Sequence, residues 1–144
     1  MILIDANLLL YAVNKDLPQH RLARGWLEVT FSGSDPVGLP WVVILAFLRI
    51  STSRRVFERP LEAAGATNLV ATWLDQPCVA AIGLGSRHWA ILRTLLEQTG
   101  MAGNLTTDAH IAALALEHGC SVYSADNDFK RFPGLRHVNP LTVT

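Results

Sequence analysis

The stretch that decides the fold runs from Leu105 to Phe129. It reads Leu105-Thr106-Thr107-Asp108-Ala109-His110, an apolar helical run to Leu116, a stop at Gly119, the strand-like Cys120-Ser121-Val122-Tyr123-Ser124, then Asp126-Asn127-Asp128-Phe129. Thr106 and Thr107 are good helix N-cap residues, which places Asp108 in the first helical turn, where the macrodipole favours negative charge. Gly119 lets the chain leave the helix and enter the strand. The strand delivers Asp126 and Asp128 at its carboxyl end, two residues apart and able to point the same way along an extended chain. Three acids thus fall at element ends, where open α/β sheets bind ligands.

Working outward, Met1 to Asp5 reads as a short apolar strand and Ala6 to Val13 as a helix that starts at once, so Asp5 lies at a strand-to-helix junction. An ordinary N-cap and a catalytic acid fit that place equally well. Gln19 to Phe31 carries Leu22, Trp26 and Leu27 at helical spacing, and Val37 to Leu39 is a short strand. Pro40 then opens a helix from Trp41 to Ile50 that is apolar all round until Arg49, as in a buried or interface helix. Four arginines between positions 49 and 59 form either a solvated loop or a phosphate-binding rim. Pro60 opens a further helix through Leu74, Cys78 to Ile82 is a strand, and Ser86 caps a helix from Arg87 to Thr99 with Trp89, Leu92, Leu95 and Leu96 as its apolar stripe. Gly83 and Gly85 lack the remaining spacing of a phosphate loop. Gly100 and Gly103 bracket a turn that Asn104 ends, and Arg136 to Asn139 is an edge strand. Strands alternating with helices over the whole chain predict an α/β fold with a mainly parallel sheet of four to five strands, covered by helices on both faces.

With 144 residues the chain is expected to form one domain over 1–144 with a substantial core. Apolar residues make up 50% and charged residues 17%, which leaves apolar surface for a partner. Twelve basic residues balance twelve acidic ones, so any affinity for nucleic acid must come from a local patch. Ten of the twelve basic residues are arginine, suited to bidentate phosphate contacts and equally a mark of a GC-rich genome. Cys78 and Cys120 each begin an apolar run, as buried free thiols do in a reducing compartment. No basic leader precedes Asp5 and no apolar stretch is long enough to span a bilayer, so a cytoplasmic protein with no membrane association is expected.

Right-handed crossovers bring the carboxyl ends of parallel strands to one edge of a sheet, so Asp5, Asp108, Asp126 and Asp128 are expected at one rim. Four like charges together require neutralisation, and a hard divalent ion with oxygen ligands is the natural occupant. Magnesium keeps waters and leaves room for a phosphate oxygen, which suits a phosphodiester.

At this point the sequence resembles the PIN-domain ribonucleases, and within them the VapC-type toxins of type II toxin-antitoxin pairs in mycobacteria and relatives. The resemblance rests on Ile4-Asp5-Ala6-Asn7, Trp41-Val42-Val43 with Ala46-Phe47-Leu48-Arg49, Arg87-His88-Trp89, Gly103-Asn104-Leu105-Thr106-Thr107-Asp108-Ala109-His110, Ser124-Ala125-Asp126-Asn127-Asp128-Phe129 and Phe132-Pro133-Gly134-Leu135. Each segment alone is weak; their order and spacing together are specific. The resemblance implies a PIN-like three-layer fold and endonucleolytic RNA cleavage dependent on magnesium or manganese, with water activated by the ion attacking phosphorus in line. By position it makes Asp5 and Asp108 the principal ligands, with Asp126 and Asp128 completing the acidic cup, and gives Ser124 a supporting hydrogen bond. Asn7, Asn104 and His110 would orient the site or contact substrate, although a turn role for Asn104 and a packed or solvent-facing place for His110 fit as well. It further implies a VapB-like antitoxin as partner, an RNA substrate, homodimers and toxin-antitoxin hetero-oligomers, and DNA contact only through the antitoxin.

One departure stands out. Many PIN domains carry a glutamate in the helix represented by Trp41 to Ile50, where this chain has Ala46 beside Phe47, and no carboxylate occurs between Asp35 and Glu58. One tightly held ion is then favoured over two, and Arg49 becomes a candidate partner for the acids. Two alternatives stay open: a catalytically weak or silent module that acts by binding its antitoxin and contributes to DNA autorepression, and a different magnesium enzyme such as a phosphatase. The phosphatase lacks support, because Asp5-Ala6-Asn7 offers no paired aspartates after the first strand.

Overall fold

The computed structural model describes residues 1–100 and 103–142. Its strands are β1 (Ile2–Ile4), β2 (Val37–Pro40), β3 (Val79–Ile82), β4 (Ser121–Tyr123) and β5 (His137–Val138). They form one five-stranded sheet in the order β3-β2-β1-β4-β5, with every pair parallel. The helices are α1 (Ala6–Val13), α2 (His20–Phe31), α3 (Trp41–Ser51), α4 (Ala63–Leu74), α5 (His88–Thr99) and α6 (Thr106–His118), with 3-10 turns at Gly103–Leu105 and Asn127–Arg131. The chain winds outward from β1 to β3, then crosses back over the sheet to β4. Right-handed connections therefore put α1 to α4 on one face and α5 with α6 on the other. The packing agrees: α1 lies on α2 and α3, α3 on α4, and α5 on α6.

The central strands are short apolar runs because both faces are covered. Leu3, Ile4, Val37, Leu39 and Val122 are fully buried, and α6 brings Ala109, Ala112, Ala113 and Ala115 down on them. Alanines at those positions let the helix axis approach the sheet closely, while Phe129 from the second 3-10 turn and Phe47 from α3 fill the two flanks. Gly38 sits where a Cβ would meet Leu3 and Ile82 on either side, so β2 can be central only without a side chain there.

Several sequence expectations are corrected. The helix expected from Pro60 begins at Ala63, because the Leu61 N–H is spent on the Ser51 carbonyl and Glu62 remains extended. Ser86 does not cap α5: the Gly85 and Arg87 N–H groups donate to the Glu117 carboxylate of α6 instead, and α5 starts at His88. Neither Thr106 nor Thr107 caps α6, since the preceding 3-10 turn runs straight into the helix with Leu105 already in helical geometry. In α2 the buried positions are Ala23, Leu27 and Phe31 rather than Leu22, and in α5 His88 is buried where Trp89 was expected. Part of the turn between Gly100 and Gly103 lies outside the described residues. Among those described, no helix is long and apolar enough to cross a membrane.

Candidate active site

The sheet reverses its direction of winding at β1, which has β2 on one side and β4 on the other. Ligands of open α/β sheets bind in the crevice outside the carboxyl ends of the strands at such a switch point. Asp5 follows β1 there, and Ser124 to Asp128 follow β4.

Asp5 is both cap and site residue. Its backbone is extended (φ −79°, ψ 155°), and its Oδ1 accepts the Ala6 N–H at 2.8 Å to start α1. Its Oδ2 accepts a hydrogen bond from Ser124 Oγ at 2.7 Å. Ser124 is fully buried, and its hydroxyl oxygen also accepts from Asn7 Nδ2 at 3.1 Å and from the Asp126 N–H at 3.0 Å. One donor and two acceptor positions exhaust a hydroxyl, so Ser124 is a saturated hub that locks the β1 and β4 exits together. Asn7 closes the ring by accepting the Ala125 N–H on Oδ1. Asp126 Oδ1 in turn accepts the Asp128 N–H at 2.9 Å, which sets the second 3-10 turn and aims Asp128 back at the cleft.

Asp108, in the first turn of α6, meets this ring from the helical side. One carboxylate oxygen from each of Asp108, Asp126 and Asp128 lies within 4.8 Å of the others. Asp5 stands behind this trio, with both oxygens engaged but each retaining a free lone pair. Its influence is electrostatic: partial burial, then the charges of Asp5, Asp126 and Asp128, push the Asp108 carboxyl from its ordinary 3.8 up to about 6. Burial also raises the Asp5 carboxyl, opposed by its bonds from Ser124 and Ala6 and reinforced by Asp126. Such a cluster can hold a hard divalent cation with oxygen ligands, and its crowded charge is what that cation relieves.

The other residues singled out in the sequence separate into two groups. Asn7 and Ser124 belong to the ring. His110 instead faces α5, where His88 Nε2 and His110 Nδ1 are 2.9 Å apart, with burial lowering both imidazoles. Asn104 is exposed in the 3-10 turn before α6. Arg49 is exposed at the far end of α3, beside Leu45, Leu48, Ala63 and Ala66, and among the described residues no ion pair joins it to the acids. Ala46, where the resemblance leads one to look for a glutamate, is half-buried, and Phe47 beside it is fully buried with its ring 4.8 Å from that of Trp73, so α3 sends no carboxylate to the cleft.

Two contributors went unread in the sequence. His137 on β5 pairs its Nε2 with the Ser124 carbonyl at 2.9 Å and stacks on Phe129, bracing the hub from the edge strand. Arg131, one helical turn from Asp128, lies 3.5 Å from that carboxylate. An arginine three residues after an acid is a readable signal; the histidine is not, because its register against β4 exists only in the folded sheet.

The chain matches the family described as PIN domain over residues 2–135. It is 44% identical to Ribonuclease VapC37 of Mycobacterium tuberculosis over 140 residues, covering 97% of both chains. Ribonuclease VapC33 of the same species is also 44% identical, over 98% of this chain and 99% of its own. The fold is similar to the crystal structures of VapBC2 from Rickettsia felis bound to a promoter DNA fragment (TM-score 0.69, 22% identity, 96% and 98% of the two chains) and of the Sarcin-Ricin loop cleaving toxin VapC20 from Mycobacterium tuberculosis (TM-score 0.68, 17% identity, 94% and 99%). Acid ring, switch-point topology and near full-length identity agree: the chain belongs to the PIN-domain family, in its VapC branch.

Proposed function

We propose that this chain is the toxin of a VapBC-type pair, a single PIN domain over 1–144 that cleaves RNA endonucleolytically at the acid cluster. The observation that carries the reading is the convergence of Asp108, Asp126 and Asp128 in front of Asp5 at the switch point. These four acids would hold magnesium or manganese, whose chemistry when bound is to neutralise the cluster, polarise the phosphate and activate water for in-line attack on phosphorus. The chain's own groups do the positioning. Ser124 fixes Asp5 and the Asp126 backbone through one hydroxyl. Asp126 fixes Asp128. The α6 N-terminus carries Asp108, whose raised proton affinity marks charge that a cation or a proton would relieve.

A VapB-like antitoxin is the proposed partner, with DNA reached only through it; the similar VapBC2 of Rickettsia felis was crystallised bound to a fragment of its promoter. Exposed Leu84 and Trp89 supply apolar surface for homodimers or toxin-antitoxin assemblies. Free Cys78 and Cys120 suit the cytoplasm, where RNA is at hand. A second reading, a module that binds its antitoxin without cleaving, is favoured by one observation, that α3 carries no carboxylate around Ala46 and Phe47. Cleavage of total bacterial RNA by the purified chain with magnesium, manganese or chelator, beside Asp108→Asn, separates the two. Discrete metal-dependent fragments absent from the variant support the nuclease. Intact RNA under every condition, with antitoxin binding retained, supports the silent module.

A further inference from the structure

The run that leaves β4, Ala125 to Asp128, carries two of the four acids. Both of its flanking residues touch the same side chain. On the near side, His137 Nε2 lies 2.9 Å from the Ser124 carbonyl oxygen. On the far side, the His137 ring stacks on Phe129, with ring centroids 5.9 Å apart and planes 24° from parallel. Phe129 is fully buried and follows Asp128 directly. One imidazole on the edge strand therefore grips the acid-bearing run before and after its carboxylates.

The grip depends on a single proton. A carbonyl oxygen only accepts, so Nε2 carries the hydrogen and Nδ1 a lone pair. That Nδ1 is buried, and among the described residues it has no hydrogen-bond partner. A buried unpaired nitrogen costs stability, and a phenyl ring at position 137 would pack on Phe129 without that cost. What the imidazole alone adds is the Nε2–H, and it is directed at the Ser124 carbonyl.

That carbonyl belongs to the peptide that opens the run. The N–H of the same peptide, from Ala125, donates to Asn7 Oδ1 at 3.3 Å, and the preceding Ser124 N–H donates to the Val138 carbonyl at 3.0 Å. With the His137 bond the peptide plane is held on both edges, so the direction in which the chain leaves β4 is fixed before Asp126 is reached. Ser124 Oγ, which holds Asp5 and the Asp126 N–H, keeps its aim only while this backbone keeps its own. We propose that His137 is a positioning residue for the acid cluster: through the Ser124 peptide and the Phe129 ring it sets Asp126 and Asp128 relative to Asp5 and Asp108, and so tunes cation affinity from the edge of the sheet. This rests on the reading of the cluster as a cation site and deepens it.

The test reads cation binding apart from cleavage, by calorimetric titration of the full chain with manganese at neutral pH. His137→Phe keeps a ring on Phe129 and loses the donor, and affinity is expected to fall by about 10-fold, the lower end of the range for groups that orient metal ligands. His137→Gln places an amide N–H where Nε2 stood and should recover most of the lost affinity. Val138→Ala, exposed on the same strand, should leave affinity unchanged. Thermal melting in chelator runs beside each titration: a packing residue would lose stability in step with affinity, whereas His137→Phe should lose affinity with its melting temperature little changed. Imidazole NMR spectra of the unaltered chain, which need no variant to fold, should show His137 protonated at Nε2 and its signals moving as magnesium is added. Undiminished manganese affinity in His137→Phe overturns the proposal, as does a loss that glutamine fails to recover or that Val138→Ala matches. A His137 ring protonated at Nδ1 alone, or indifferent to magnesium, overturns it as well. A wild type that binds neither cation overturns the cation-site reading and this inference with it. Cation binding that depends on His137 in a chain that cleaves no RNA supports the inference and counts against the nuclease reading alone.

Discussion

Replacing Asp108 by asparagine should make the metal-free chain more stable. The folded state holds the Asp108 proton up to about pH 6, whereas the unfolded chain releases it near 3.8. Between those values the folded state binds more protons, so the contribution of this group to stability falls as pH rises and is fully unfavourable above about 6. At about 1.4 kcal/mol per pH step, the penalty at neutral pH has an upper bound near 3 kcal/mol, and partial solvent exposure of the side chain screens it to roughly 1–2 kcal/mol. Against this, a carboxylate in the first turn of a helix is favoured by about 0.3–1 kcal/mol, which asparagine forfeits. Burial and like-charge repulsion together outweigh the dipole by about 1 kcal/mol, or about 2–4 °C in melting temperature for a domain of this size. The assay is thermal melting at pH 7.5 in chelator and in excess magnesium or manganese. In chelator Asp108→Asn should melt above the wild type. With a cation the order should invert, because a ligand at about a hundred times its Kd adds about 2.7 kcal/mol to the chain that binds it. A variant that melts below the wild type in chelator, or a wild type indifferent to both cations, would refute the account of the cluster as charge awaiting a counterion.

Three further outcomes are expected. Ser124→Ala strips the buried hub of its hydroxyl and leaves Asn7 Nδ2 and the Asp126 N–H unpartnered, so chemical denaturation should register a loss of about 1–3 kcal/mol together with weaker cation binding. Gly38→Ala forces a methyl group between Leu3 and Ile82 in the middle of the sheet, and equilibrium unfolding should show a loss of about 1–3 kcal/mol. Cation affinity measured by calorimetry should fall as the pH is lowered through about 6, where Asp108 takes up its proton, with proton release on binding below that point; an affinity flat from pH 7 to 5 would contradict this.

Much of the fold was legible because short apolar runs bounded by turns admit few alternatives. The strands at Ile2, Val37, Val79 and Val122 and the edge strand at His137 fall where alternation with helices placed them. Helix starts were less legible. Gly85 and Arg87 are capped by Glu117 from another helix, and Leu61 is held by Ser51, so local signals at Ser86 and Pro60 were outbid by tertiary hydrogen bonds. Helical period gave the existence of an apolar stripe in α5 but not its exact face, so Trp89 was expected inside and His88 took its place. In the site, the acids were readable because each sits at an element end. Their division into a front trio and a hydrogen-bonded Asp5 was not, since it depends on which oxygen Ser124 engages.

The Ser124 hub has a consequence for how the protein is made. Asp5 is synthesised 119 residues before the hydroxyl that fixes it, and the Asp126 and Asp128 carboxylates come later still. The central strand β1 likewise waits for β4, a pairing of very long sequence separation that forms slowly and late. A growing chain therefore carries an unassembled acid site until β4 and the acids that follow it have been synthesised, so the site forms only once these distant segments have met.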